Sequence, residues 1–309
     1  MMAEMKNIVV KVFLDCLCLF LVFLPWILLK TVAQPYHRGF FCDDQTLRYP
    51  YHESTVTTTV FVSVSILLNF GIIFLIEAFH NFVSPKRKGL PYARYDIGRR
   101  HLPMYLVACY KSIGIFLFGA AIVESVTNIG KFSVGRLRPH FFDICKPDMS
   151  KIVCNDTHGL PLYITDFECL GSRTDRFKEL RLSFPSGHTS FSTYAAIFFA
   201  LYLQARLTWK GSKLLKHLLQ AAAIYAALYV SLSRISDYKH HWSDVLGGFF
   251  IGAIVAISMG VWVAGFFKGP RLKHLASELS DVLNTLQQNG AYNKCENVVS
   301  AHDQISMKI

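Results

Sequence analysis

Six stretches of this chain are apolar for long enough, or nearly so, to cross a hydrocarbon core: Val12–Leu29, Val56–Phe79, Leu106–Ile129, Thr189–Ala205, Leu214–Leu232 and Val245–Phe267. A core about 30 Å thick takes roughly 20 helical residues. Lipid offers no hydrogen bonds to backbone N–H and C=O groups, so only helices or closed barrels can cross it. Runs of this length specify helices. The expected fold is all-α and polytopic: a six-transmembrane helical bundle. Its composition of 52% hydrophobic and 17% charged residues agrees, since a soluble domain carries about 25% charged residues. The first run is long for a removed signal peptide and has no small-residue cleavage site close behind it, so it reads as a retained anchor. No internal repeat or low-complexity tract is present.

The loops set an orientation. His80–His101 holds Lys86, Arg87, Lys88, Arg94, Arg99 and Arg100, whereas Thr31–Thr55 holds only Arg38 and Arg48. The positive-inside rule places the former in the cytosol, together with both termini and the basic turn Arg206–Lys216. The first, third and fifth loops then face outside or into a lumen. The third loop is long and basic, but long loops weigh less in that rule. It also holds Asn155-Asp156-Thr157, a glycosylation acceptor pattern at Asn155. Cys42 of the first loop and Cys145, Cys154 and Cys169 of the third suit disulfides in an oxidising compartment, and four cysteines leave three pairings open. Cys16, Cys18 and Cys109 read as packing residues, and Cys295 as a cytosolic thiol. The net charge of +11 sits between apolar runs, not in an aromatic-interleaved stripe, which argues against nucleic acid. Residues 1–267 are expected to form the six-span domain and 268–309 a cytosolic tail. In the tail Leu275, Leu279, Val282, Leu283 and Leu286 make a helical apolar stripe. That stripe suits the membrane surface, the bundle itself, or a partner such as a second copy in a homo-oligomer.

Three polar segments end these apolar runs: 131–139 (KFSVGRLRP), 185–188 (PSGH) and 233–244 (SRISDYKHHWSD). Lys131 and Arg138 are seven residues apart, about two helical turns, so both project from one face if the third span continues through them. Such a pair also suits interfacial anchoring, but two converging cations receive an anion such as phosphate. Ser186 and Gly187 suit a helix entry, where free N–H groups and the dipole favour anions. His188 sits at its mouth, with a titration range suited to proton transfer. Asp244 follows His240 by four residues, so on a helix its carboxylate accepts from the imidazole and presents the opposite nitrogen as a nucleophile. Arg234 supplies a third cation. A zinc site built from His188, His240, His241 and Asp244 fits poorly, because the spacing is not H-E-x-x-H and three cations oppose a metal.

Taken together, K-x6-R-P, P-S-G-H and S-R-x5-H-x3-D resemble the signature of the type 2 phosphatidate phosphatase superfamily, the lipid phosphate phosphatases. Within it the chain resembles the animal phospholipid phosphatases, through its span pattern, the PYHRGFFCDD segment and the YLQAR stretch at 202–206. The resemblance implies that His240 attacks phosphorus to give a phosphohistidine, that Asp244 orients it, and that His188 protonates the leaving alcohol and then activates water. It implies that Lys131, Arg138, Ser186, Gly187 and Arg234 hold the phosphate, with no metal and no cofactor. His241 and Arg136 lie off the pattern, and Arg136 at most reinforces the positive field. The implied substrates are membrane lipid phosphates: phosphatidate, lysophosphatidate, sphingosine 1-phosphate and ceramide 1-phosphate. The implied setting is the plasma membrane, with endoplasmic reticulum, Golgi and endosomal membranes as alternatives. Competing readings are a superfamily phosphatase for a sugar phosphate or polyisoprenyl diphosphate, and a non-catalytic scaffold. Glu124, two turns before Lys131, is expected to pair with or position it.

Overall fold

A computed structural model describes residues 2–82, 96–97, 100–101, 103–207 and 212–266. Along the chain run α1 (Met2–Thr31), the two-residue strand β1 (Phe40–Phe41), α2 (Thr58–Phe82), β2 (Asp96–Ile97), β3 (Arg100–His101), α3 (Met104–Val134) and the short α4 (Phe141–Cys145). β4 (Tyr163–Ile164), α5 (Gly187–Arg206), α6 (Lys213–Ser236) and α7 (Trp242–Ser258) follow, and a π-helical turn at Met259–Val263 extends α7. β1 pairs antiparallel with β4, and β2 with β3. Met1–Ala264 form one compact unit, and the chain from Gly265 forms a second. The apolar stripe of the tail and most of the basic 80–101 loop lie outside the described residues.

Among the described residues, five helices are long and apolar enough to cross a membrane: Ile8–Thr31, Thr58–His80, Tyr105–Val134, Leu214–Ser236 and Trp242–Val263. The sequence reading expects six. The remaining candidate, α5, has 20 residues, about 30 Å of helix, but is too polar to qualify by composition. Its position explains this. α5 packs against α2, α3, α6 and α7, so Thr189, Ser190, Ser192 and Thr193 are buried against protein. A helix enclosed by others need not be greasy.

At the other extreme, the apolar window of α1 is wholly unburied by protein, and its main neighbour is α3. Cys16 and Cys18 are therefore exposed on its surface, contrary to the expectation of packing residues, whereas Cys109 on α3 is buried. Two carboxylates within the spans are partnered. Asp15 accepts from the Tyr110 hydroxyl at 2.8 Å. The Glu77 carboxylate takes both Arg206 Nη2, at 2.7 Å, and the Tyr202 hydroxyl, at 2.7 Å, joining α2 to α5.

The closest approach in the bundle is between α5 and α7. A Cβ at Gly248 would collide with the Ser186 carbonyl, and one at Gly252 with that of Ser190. This pair is a small-x3-small face, which lets helix backbones touch where lipid provides no hydrophobic drive to associate. Outside the bundle, the first and third loops fold into a cap. Phe40, Leu47, Leu137, Phe141, Ile144 and Leu180 bury one another there. Disulfides Cys42–Cys154 and Cys145–Cys169 staple it, which selects one of the three open pairings.

Candidate active site

The three polar segments meet at the capped end of the bundle. α3 stops at Val134 because Gly135 adopts a left-handed φ of 59° and its N–H closes on the Lys131 carbonyl at 3.1 Å. Lys131 thus lies in the last helical turn and Arg138 beyond it, so they do not share a helical face as the spacing suggested. Tertiary hydrogen bonds return Arg138 to the site: its N–H donates to the Leu180 carbonyl at 2.9 Å, and Ser183 N–H donates to the Arg136 carbonyl at 3.1 Å. Among the described residues neither Lys131 nor Arg138 is paired with a carboxylate. Arg138 Nε is buried with no hydrogen-bond partner at all. Glu124 does not reach Lys131; it receives Asn128 Nδ2 at 2.8 Å on its carbonyl and 3.4 Å on its carboxylate.

Ser186 is the N-cap of α5, fully buried, and its N–H donates to the Asp244 carbonyl at 3.0 Å. Its Oγ makes no capping bond and receives the Thr189 hydroxyl at 3.1 Å. Gly187 lets the helix start come close to Lys131, because a Cβ there would lie 3.2 Å from Nζ. The His188 ring packs 4.5 Å from Phe61 and lies 3.5 Å from Thr58 Oγ1. Arg234, His240, Lys131 and Arg138 are the charged and titrating groups that act on it.

α6 gives way to a tight turn in which Tyr238 holds φ at 53°, and the N–H groups of Lys239 and His240 both donate to the Arg234 carbonyl, at 3.0 and 3.2 Å. His241 then caps α7. His240 therefore precedes the helix that carries Asp244, and the two do not stack along one helical face. His240 Nδ1 lies 3.7 Å from Asp244 Oδ2, beyond the roughly 2.7–3.2 Å of an N–H···O bond. It donates instead to the Ser183 carbonyl at 2.7 Å. A carbonyl can only accept, so Nδ1 carries the proton and Nε2 keeps a free lone pair. Burial above all, with Arg138 and Lys131 adding to it and Asp244 opposing, pushes the ring down to about 4. His240 is neutral at physiological pH. His241 instead donates Nε2–H to the Leu137 carbonyl at 3.1 Å.

Asp244 is held by residues that the spacing argument passed over. Arg136 Nη1 donates to it at 2.6 Å, the Ser183 hydroxyl at 2.6 Å, and the His241 N–H at 2.9 Å. Arg234 is also not a free cation, since its Nη2 pairs with Asp237 at 2.8 Å. Asp237 in turn accepts Thr55 N–H at 2.8 Å and Thr55 Oγ1 at 2.6 Å. The sequence signal for Arg136 was its place between Lys131 and Arg138. For Asp237 the signal was its place three residues after Arg234, whereas only tertiary contact identifies Ser183 and Thr55. Among the described residues no three His, Cys, Asp or Glu side chains converge as a metal donor set. Asn155 is exposed in the cap.

Beside the site, α5, α6 and α7 line a half-open cavity of about 320 Å³ whose walls include Thr189, Ala196, Ala227, Leu228, Trp242 and Phe249. Its lining is almost wholly apolar. Thr189 reaches from it to Ser186, which joins the greasy cavity to the polar site.

Residues 112–268 match the PAP2 superfamily. The chain is 42% identical to phospholipid phosphatase 1 of Rattus norvegicus over 259 residues, covering 83% of this chain and 86% of that protein. It is 41% identical to phospholipid phosphatase 2 of Homo sapiens over 270 residues, covering 87% and 88% respectively. A Drosophila melanogaster relative is 44% identical over 283 residues, covering 90% of this chain and 75% of that protein. No solved structure matches.

Proposed function

The chain belongs to the PAP2 superfamily, and on that footing we propose that it is a membrane-embedded phosphatase of lipid phosphate monoesters. The observation that carries this reading is the pairing of a neutral histidine with unneutralised cations. His240 keeps a lone pair on Nε2, while Lys131 and Arg138 have no carboxylate among the described residues and Arg138 Nε has no partner. A buried unpaired guanidinium N–H is costly in an empty site and is satisfied by a phosphate oxygen.

In the proposed mechanism the phosphate dianion sits among Lys131, Arg138, Arg234, Ser186 and the first-turn N–H groups beginning at Gly187. These groups stabilise the charge of the transferring phosphoryl group. His240 Nε2 attacks phosphorus as the bond to the lipid oxygen breaks, and His188 gives that oxygen its proton. The product is a diacylglycerol-like or sphingoid alcohol and an Nε2-phosphohistidine. The imidazolium so formed holds its Nδ1–H on Ser183, with the Asp244 charge beside it. Water, deprotonated by His188, then attacks phosphorus and releases inorganic phosphate and neutral His240. No metal enters the scheme.

The apolar cavity is the proposed seat of a lipid tail. A tail already in hydrocarbon gains little hydrophobic free energy by entering, so the cavity selects by shape. By the loop charges the site faces outside or a lumen, most naturally at the plasma membrane, with Asn155 glycosylated on the same side. Phosphatidate, lysophosphatidate, sphingosine 1-phosphate and ceramide 1-phosphate are the proposed substrates.

The test is phosphate release by detergent-purified protein in chelator, from these lipids and from soluble phosphates. His240→Ala is expected to lose turnover by about 10³-fold or more, and alkaline quench of wild type with labelled substrate to trap phosphohistidine. Full activity in His240→Ala, or activity only with added metal, defeats the mechanism. Preference for a soluble sugar phosphate or a diphosphate moves the reading to another branch of the family.

A further inference from the structure

Lys239, the residue before the proposed nucleophile, belongs to none of the three motifs. Its side chain is only 5% exposed, yet among the described residues its ammonium has neither a carboxylate nor a hydrogen-bond acceptor. It lies over the face of Tyr51, 3.5 Å from the ring centroid. The same ring has the Arg173 and Arg176 guanidiniums at 4.8 and 5.0 Å, and Arg176 Nη1 donates to its hydroxyl at 2.5 Å. Three cations thus crowd one phenol. Two carboxylates stand against them: Glu53 accepts the Tyr51 hydroxyl at 3.2 Å, and Asp175 lies 3.9 Å from Arg176 Nε. Positive charge in such excess, beside a site already holding Lys131 and Arg138, is arranged for an anion and not for its own stability.

The backbone gives Lys239 a fixed origin. Its N–H and that of His240 share the Arg234 carbonyl, and the left-handed Tyr238 makes the bend. Tyr49 stacks on Tyr238 at 4.5 Å, bringing the first outer loop down onto this turn. A cation over an aromatic face is held without directed hydrogen bonds. Its three N–H donors are therefore left for a better acceptor, and four rotatable bonds let them move to it.

We propose that Lys239 is a fourth cation of the phosphate site, held over the Tyr51 ring and able to move from it onto the phosphate oxygens. This rests on the phosphatase reading above. Burial, and then the charge of Arg138, push the Lys239 ammonium down to about 8. It is thus largely charged at neutral pH, and Arg138 is the cation that acts on it most strongly. Both side chains gain from one shared anion. Phosphate arrival relieves that repulsion, so occupancy and the movement of Lys239 reinforce each other.

The experiment uses the full-length protein in detergent, with inorganic phosphate and orthovanadate as probes. Inhibition of turnover and the shift of thermal unfolding are both read. Lys239→Met keeps the stem and removes the charge, and is expected to weaken both probes about tenfold or more, with Lys239→Arg restoring most of that binding. Tyr51→Leu removes the resting partner and is expected to tighten both probes. A Lys239 that serves only to clamp the first loop predicts the opposite: Lys239→Met binds vanadate as wild type does, or Tyr51→Leu weakens it in parallel. Either result overturns the proposal. Should Lys239→Met not fold, the sign of the Tyr51→Leu shift decides alone. Wild type that releases no phosphate from any lipid defeats the phosphatase reading itself, a failure visible before any variant is made.

Discussion

Arg136 and Arg138 are two residues apart, yet one is tied to Asp244 at 2.6 Å and the other has a buried Nε without a partner. In the proposed mechanism that difference separates a residue that positions Asp244 from one that binds phosphate. The motif reading had Arg138, Lys131 and Arg234 as equals, but Arg234 shares its charge with Asp237. It also chose His240 over His241, and the ring bonds give a reason: His241 donates Nε2–H to a carbonyl, while His240 leaves Nε2 free. What spacing could not supply was the acceptor for His240, because Ser183 is distant in sequence and contributes a backbone oxygen that no side-chain pattern records. A pH prediction follows at this scale. His240 is pushed down to about 4 and His140, mainly by burial, to about 3, while both titrate near 6.5 when unfolded. Above pH 6.5 neither affects stability. Below it the unfolded chain binds protons that the folded one refuses, so stability falls by up to about 1.4 kcal/mol per pH unit per histidine until the folded values are reached. Melting in detergent should drop from about pH 6.5 toward pH 5, and His140→Asn should lessen the drop. A flat curve down to pH 5 contradicts the burial assigned to these rings.

Helices α2, α3 and α6 were legible from length and hydrophobicity alone, and so was α7 to within a few residues at its start. α5 was placed correctly by the sequence reading but not by its composition, because its polar residues are shielded by four neighbouring helices. The third span was read as Leu106–Ile129, with Lys131 and Arg138 on one face if its helix continued; Gly135 ends that helix before Arg138. Gly248 and Gly252 went unread in the sequence, because a four-residue glycine spacing acquires meaning only from the helix it meets. That helix is α5, whose start carries Ser186, so the α5–α7 contact sets the distance between two motifs. Gly252→Leu is expected to force the helices apart, cost about 1–3 kcal/mol, and depress turnover beyond what the loss of stability explains. Gly114→Leu is the control, since a Cβ there meets nothing within 4 Å. Equal effects at the two positions would count against a positioning role for the α5–α7 contact.

For the whole molecule, the first and third loops are the part that sequence reading left most open. They form a stapled cap with its own aromatic core, and that cap brings Tyr51, Arg173 and Arg176 to the site. Cys42–Cys154 closes a separation of 112 residues, for which chain entropy suggests about 4–5 kcal/mol. Cys154→Ser should lower the melting temperature, and reductant should lower that of wild type by at least as much, since it opens Cys145–Cys169 as well. A wild-type melt indifferent to reductant would mean that the cap is held by its core alone. The chain's membrane character, the order of its helices and the residue types of its site were set by local pattern. Hydrophobic length, charge bias and motif spacing act over a few turns and can be read one segment at a time. Which cations are neutralised, what fixes the His240 tautomer and which cysteines pair were decided only by the tertiary structure. Arg234 is neutralised locally, by Asp237 three residues on; the others depend on contacts between segments two dozen residues or more apart, which exist only once the helices have packed.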